Sequence, residues 1–237
     1  MDKKIIFITG ASGGLGEAIA KHFLQLGHQL ILHRNENPIN LEENNLVTHV
    51  KADLTDTAEI KMMFDEITNS VGHIDVLINN AGISKSSISW KTNTEDWDET
   101  IALNLTAPFK LTQHTIPLMR KNNWGRIINI TSVVAQTGVI GTSAYAASKA
   151  GIIGLTKTLS KELIPFNITT NALALGYFDK GMIRDIPTEL KDQIIDTIPA
   201  KELGQPKVIC KTIEFLMQNE AHYINGQTIN LNGGLFS

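Results

Sequence analysis

Short, unbroken apolar runs alternate with helical stripes along most of this chain. Ile5-Ile6-Phe7-Ile8 stops at Thr9-Gly10, and a run that is apolar at every position reads as a strand buried on both faces of a parallel sheet. From Gly14 to Leu26 the apolar residues Leu15, Ala18, Ile19, Phe23 and Leu26 fall on one helical stripe. Further strands are predicted over 29–32, 47–50, 74–78, 126–130, 168–174 and 228–231, with helices over 57–70, 95–121 and 145–163. Pro108 lies inside the longest of these helical regions and should kink or break it. Parallel neighbours need long crossovers, so the helices must cover the sheet. The expected fold is α/β, one doubly wound parallel sheet of about seven strands with helices on both faces. Neither an internal repeat nor a linker divides residues 1–237. The stretch 176–206 differs, with Pro187, Pro199 and Pro206 among scattered charges, and is expected to be a mobile lid over the substrate.

Composition narrows the function classes. Hydrophobic residues are 42%, charged residues 19% and the formal net charge is -3, so the chain can bury a core and carries no basic excess for nucleic acid or a membrane surface. Cys210 is the single cysteine, which rules out an intrachain disulfide. The first apolar run is too short for a signal peptide, and no stretch approaches the roughly 18 apolar residues of a membrane span. A cytoplasmic protein is expected. The seven histidines are scattered without a ligand cluster, so no metal site is expected, and packing or surface roles suit them better. Ser132 has no Gly-x-Ser-x-Gly elbow around it, which argues against a serine hydrolase.

The turn Thr9-Gly10-Ala11-Ser12-Gly13-Gly14-Leu15-Gly16 lies between a strand and a helix. Gly10 permits a tight turn, while Gly14 and Gly16 permit close approach of ligand and of helix to sheet. The N–H groups at the following helix start can seat a pyrophosphate. A glycine loop alone can be a plain turn; the flanking strand and helix favour dinucleotide binding. An acid at the end of the second strand would suit the ribose of NAD, but His33-Arg34-Asn35 stands there, and the Arg34 fork suits a 2′-phosphate. NADP(H) is therefore favoured over NAD(H), although Gly13 adds no second cation. Tyr145 and Lys149 are spaced to share a helix face about one turn apart. By itself such a pair is more often a packed ring and a solvated amine. Beside a cofactor turn, an ammonium can favour the phenolate and make the phenol a proton donor near neutrality.

Thr9-Gly10-x-x-x-Gly14-x-Gly16, Asn79-Asn80-Ala81-Gly82, Asn104, Ser132, Tyr145-x-x-x-Lys149 and the closing Asn225-Gly226-Gln227 and Asn232-Gly233-Gly234 occur in the order and spacing of the short-chain dehydrogenase/reductase family. The chain resembles that family from end to end, and most resembles its 3-oxoacyl-acyl-carrier-protein and acetoacetyl-CoA reductases. The resemblance implies a single Rossmann-type domain. It implies that Tyr145 protonates the carbonyl oxygen, that Lys149 lowers the Tyr145 pKa and holds the nicotinamide ribose, and that Ser132 fixes the substrate oxygen. The Asn104 backbone would hold a water that resupplies the proton. Asp53 and Leu54 resemble the adenine-contacting pair, Asn80, Ala81 and Gly82 the wall beside the adenosine ribose, and Gly176 and Phe178 lie where the lid meets the cofactor.

Two departures stand out. After the sixth strand the family usually shows Pro-Gly followed by a threonine, where this chain has Leu175-Gly176 and then Lys180. The implied activity is reduction of a 3-oxoacyl thioester, on coenzyme A or acyl carrier protein, by a homotetramer. Oxidation or reduction of another secondary alcohol, and cofactor binding with little turnover, stay open as alternatives at this point.

Overall fold

The structure is a computed structural model and describes residues 2–41, 44–181, 183 and 187–237. Seven strands, β1 (Ile5–Ile8), β2 (Gln29–Arg34), β3 (Val47–Lys51), β4 (Val76–Asn79), β5 (Gly125–Ser132), β6 (Ile168–Leu175) and β7 (Thr228–Leu231), form one sheet in the order β3-β2-β1-β4-β5-β6-β7. Every pairing is parallel. The α-helices are α1 (Gly14–Gln25), α2 (Thr57–Ser70), α3 (Thr94–Ile101), α4 (Ala107–Arg120), the single turn α5 (Val134–Thr137), α6 (Ser143–Leu163), α7 (Thr188–Thr197) and α8 (Pro206–Leu216).

The sheet is buried on both sides because its strands are apolar at successive positions. Alternate residues of β1 point to opposite faces. Ile6 and Ile8 pack with Ile19 and Phe23 of α1 and with Ile209 and Ile213 of α8. Phe7 packs on the other face with Phe64 of α2, Leu111 of α4 and Leu159 of α6. This is a single-domain Rossmann-type α/β fold. The strand order reverses between β1 and β4, and their carboxyl ends open the crevice in which α/β sheets bind ligands.

Several boundaries differ from the sequence reading. β5 continues through Thr131 and Ser132, which pair with Ala174 and Leu175 of β6. Polar residues end a strand's apolar signal without ending its hydrogen bonds. The region 95–121 is two helices, joined by a π-helical turn over Ala102–Thr106. Pro108 stands in the first turn of α4, directly after the wider turn, and offers no N–H to the carbonyls of that turn. The α8 stripe of Ile209, Cys210, Ile213 and Leu216, unassigned from sequence, packs against α1. Burial pushes the Cys210 thiol up to about 11, so it behaves as a small core residue. The expected lid contains α7 and the bridge Phe178↔Gly204, while its Met182, Arg184, Asp185 and Ile186 lie outside the described residues. No helix among the described residues is long and apolar enough to cross a membrane.

Candidate active site

The first half of the crevice is built from backbone. At the end of β1, Thr9 Oγ1 accepts the N–H groups of Asn80 and Ala81 at 3.0 and 3.1 Å. Asn80 Nδ2 returns two bonds, to the Thr9 carbonyl at 2.9 Å and the Gly10 carbonyl at 3.1 Å. These bonds fasten the end of β4 to the start of the glycine turn. Gly10 has φ +64°, and a Cβ there would meet Ala81 Cα at 2.8 Å. A Cβ on Gly14 would meet the Gly181 nitrogen at 2.8 Å, so the turn also lies directly under the start of the lid. The N-cap of α1 is Gly13, with no side chain bonded to the first-turn N–H groups. Those donors, aided by the helix dipole, suit an anion.

A cavity of about 390 Å³ opens here, bounded by Gly10, Ser12 to Gly16, His33, Asn35, Asp53 to Thr55 and Asn80 to Ile83. The glycine-lined floor and open helix start fit the diphosphate and adenosine of a dinucleotide. Two expected contacts sit differently. Ala11 is fully buried and serves the wall through its backbone, donating to the His33 carbonyl at 2.9 Å. Arg34 does not line the cavity; its Nη1 folds back to the Asn35 carbonyl at 3.1 Å. His33 was missed as a site residue because it was counted with the scattered histidines. It is buried, its Nδ1 accepts the Gly10 N–H, and its position just before Arg34 at the strand end was the available signal.

Side chains form the second half. A cavity of about 380 Å³ is lined by Ser132, Tyr145 and Lys149, by Gly176, Phe178, Lys180 and Ile183 from the lid side, and by Leu15, Asn80 and Gly82, which it shares with the first cavity. Ser132 is the last residue of β5, and Tyr145 and Lys149 lie on the first turns of α6. Thr131 Oγ1 donates to the Lys149 carbonyl at 2.8 Å, which holds that helix against the strand. Lys149 Nζ donates to the Ile130 carbonyl at 3.0 Å and stands 5.8 Å from the Tyr145 ring centroid. Burial lowers the Lys149 pKa to about 8.

The phenol departs from expectation. Burial first, and Tyr177 with it, raise the Tyr145 pKa, while a hydrogen bond with Ser132 pulls it down. Burial, not the expected downward pull from Lys149, sets the direction, and the Lys149 ammonium donates to the Ile130 carbonyl. Ser132 Oγ also accepts the Val134 N–H at 3.2 Å, which fixes where its hydroxyl can point.

Asn104 lies in the π-helical turn and is fully buried. Its amide pairs with both backbone groups of Ile83, accepting at 2.9 Å and donating at 2.8 Å, and it also donates to Ser148 Oγ at 3.2 Å. The side chain is thereby committed to holding the loop after β4 against α6. Pro108 has no N–H to give the Asn104 carbonyl. A Cβ on Gly82 would meet Asn104 Oδ1 at 2.9 Å and Lys149 Nζ at 3.4 Å, so glycine is needed where the two halves touch.

Of the two departures from the usual pattern, Leu175 keeps β6 paired to its end. It matches Ser132 on one side and Leu231 on the other, and its carbonyl accepts the Val133 N–H at 2.8 Å. Lys180 lines the reacting cavity and lies beside Gly14. Among the described residues, no group of three His, Cys, Asp or Glu side chains is placed to hold a metal.

The sequence profile of the short chain dehydrogenases matches residues 4–191. The chain belongs to the short-chain dehydrogenase family. The 3-oxoacyl-acyl-carrier-protein reductase FabG of Aquifex aeolicus is 36% identical over 241 residues, covering 98% of this chain and 97% of that one. FabG of Thermotoga maritima is 37% identical over 242 residues, covering 99% and 98%. Nodulation protein G of Rhizobium sp. strain N33 is 39% identical over 233 residues, covering 96% and 95%. Members of this family are oxidoreductases, and in this chain Ser132, Tyr145 and Lys149 line one cavity.

Proposed function

We propose that this short-chain dehydrogenase reduces a 3-oxoacyl thioester to the 3-hydroxyacyl form with NADPH. The observation that carries the reading is the convergence of Ser132, Tyr145 and Lys149 on a cavity that shares Leu15, Asn80 and Gly82 with the glycine-floored cavity. The FabG relatives, named as 3-oxoacyl-acyl-carrier-protein reductases, support the substrate class, and coenzyme A is the alternative carrier in this reading. The cofactor supplies the hydride when bound. The glycine turn and the start of α1 hold its diphosphate, Asp53 and Leu54 flank the adenine end, Asn80 to Gly82 line the ribose, and Gly176 and Phe178 close the nicotinamide side. Arg34 swings from its own loop to a 2′-phosphate at the rim.

Ser132 donates to the substrate oxygen and orients it, which is electrostatic preorganisation. Tyr145 gives that oxygen its proton as general acid. The Lys149 ammonium, buried and poorly solvated, stabilises the phenolate left behind and moves the replacement proton, drawn through water at the Asn104 carbonyl. Since Lys149 points at Ile130 in this arrangement, cofactor and substrate must redirect it before it can serve Tyr145. The same reading expects a homotetramer packed over the helical region 95–121 and the helix 145–163, working in the cytoplasm; a solution mass near one chain, 26.0 kDa, refutes the tetramer.

The test mixes pure protein, NADPH and acetoacetyl-CoA and follows cofactor absorbance. Oxidation of NADPH that Tyr145→Phe nearly abolishes supports the reading. Undiminished turnover by that variant defeats the mechanism, and no turnover on any 3-oxoacyl thioester defeats the substrate class.

A further inference from the structure

His33, the last residue but one of β2, is a buried histidine in the wall of the cofactor cavity. Both of its ring nitrogens are engaged. The Gly10 backbone N–H donates to Nδ1 at 3.2 Å. A backbone amide can only donate, so Nδ1 carries no proton and the neutral ring has its N–H at Nε2. That N–H donates to the Ala52 carbonyl at 2.9 Å. The His33 carbonyl accepts the Ala11 N–H at 2.9 Å. One residue therefore ties the glycine turn after β1 to the end of β2 and to the residue following β3.

We infer that His33 is the positioning residue that keeps the glycine turn in its dinucleotide-accepting shape, and that a proton on its ring releases the turn and weakens cofactor binding. Gly10 stands at φ +64°, where a Cβ would meet Ala81 Cα at 2.8 Å, so the turn presses directly on the chain that follows β4. A proton at Nδ1 sets two donors face to face, Nδ1–H against the Gly10 N–H, and deprives that amide of its acceptor. The charged groups around the ring oppose one another. Arg34, next on β2, disfavours the proton and Asp53, beyond β3, favours it. Glu59 of α2 is engaged with the Asp53 N–H at 2.6 Å, and Lys51 of β3 is paired with Glu36 at 2.9 Å. From the β1 side only the Gly10 and Ala11 amides bond to the residue. Burial is the largest influence and holds the His33 pKa below its ordinary 6.5, so the ring stays neutral at pH 7 and is driven to protonate only in acid.

The inference rests on the dinucleotide reading of the cavity and is indifferent to the acyl substrate. NADH is the probe, because the 2′-phosphate of NADPH itself titrates near about pH 6. Its binding is titrated by nicotinamide fluorescence from about pH 8 down to about pH 5, with circular dichroism recorded at each pH. The wild-type Kd is expected to rise toward the acid end of that range while the protein stays folded. His33→Asn places Oδ1 where Nδ1 stands, cannot take up a proton, and is expected to bind with little pH dependence. His33→Leu, without an acceptor, is expected to bind about tenfold more weakly at every pH. Parallel pH curves for wild type and His33→Asn overturn the inference, whether or not the leucine variant folds. Where NADH binds too weakly to titrate, NADPH replaces it, and the difference between wild type and His33→Asn carries the result, since the phosphate titrates alike in both. A protein that fails on every 3-oxoacyl thioester yet shows this difference loses only the substrate assignment.

Discussion

The crevice has two sides made of different material. Between β1 and β3 the crevice is floored by main chain, a glycine turn and an uncapped helix start, fastened to the end of β4 through the Thr9 hydroxyl and the Asn80 side-chain amide. Between β5 and the lid it is lined by side chains, a serine from a strand end and a tyrosine and lysine from one helix. A main-chain wall cannot be altered without disturbing the fold, because adding even a methyl group collides with backbone. A side-chain wall can lose its chemistry while its shape survives. Binding and turnover should therefore separate under mutation according to the side that is changed.

The sharpest test of that separation is Tyr145→Phe, which removes one oxygen and keeps the ring. Turnover is expected to fall about 10³-fold, with cofactor Kd and melting temperature unmoved; a parallel loss of cofactor binding would break the division. Lys149→Met should cost about 10²-fold in turnover, yet stabilise the protein, because it removes a buried ammonium whose only bonded partner among the described residues is a carbonyl. The sign follows from linkage. The folded state releases this proton at about 8 and the unfolded chain at 10.5, so wild-type stability rises with pH across that window while the methionine variant gains nothing there. Chemical denaturation at both ends of the window reads it.

On the main-chain side, Gly10→Ala should destabilise by about 1–3 kcal/mol and weaken NADPH and NADH alike. A variant that melts normally but binds neither would show that the turn is a ligand feature alone. The smallest effect belongs to Arg34→Ser, expected to raise the NADPH KM about fivefold and leave that for NADH unchanged. Equal effects on both would remove Arg34 from cofactor choice.

Legibility in the sequence followed the same division. The continuous apolar strands, the helix over 57–70 and the glycine turn were readable because period and backbone need are local properties of consecutive residues. So were Tyr145 and Lys149, whose spacing is a helix property. The turn of His33 toward Gly10 was not readable, since it joins residues 23 apart through a fold contact. The direction of the Tyr145 shift is not legible for a similar reason: helical spacing brings Lys149 near, but burial of the ring in the folded protein sets the direction. Pro108 announced a break without announcing its form, because a π-helical turn depends on what Asn104 must reach across the chain, here Ile83 and Ser148.

The pairing of β1 with β4 has a consequence for how the protein is made. The Ile5 N–H donates to the Asp75 carboxylate 70 residues ahead, and the Ile5 carbonyl accepts the Asp75 N–H. During synthesis β1 can therefore find β2 early, but its other edge waits until β4 has been made. Closing so long a loop is slow on entropic grounds, and the unsatisfied edge is meanwhile open to other chains. The crevice and the strand edge most exposed to misassembly are thus one seam, so a ligand that grips both sides of it would also act as a clasp during folding.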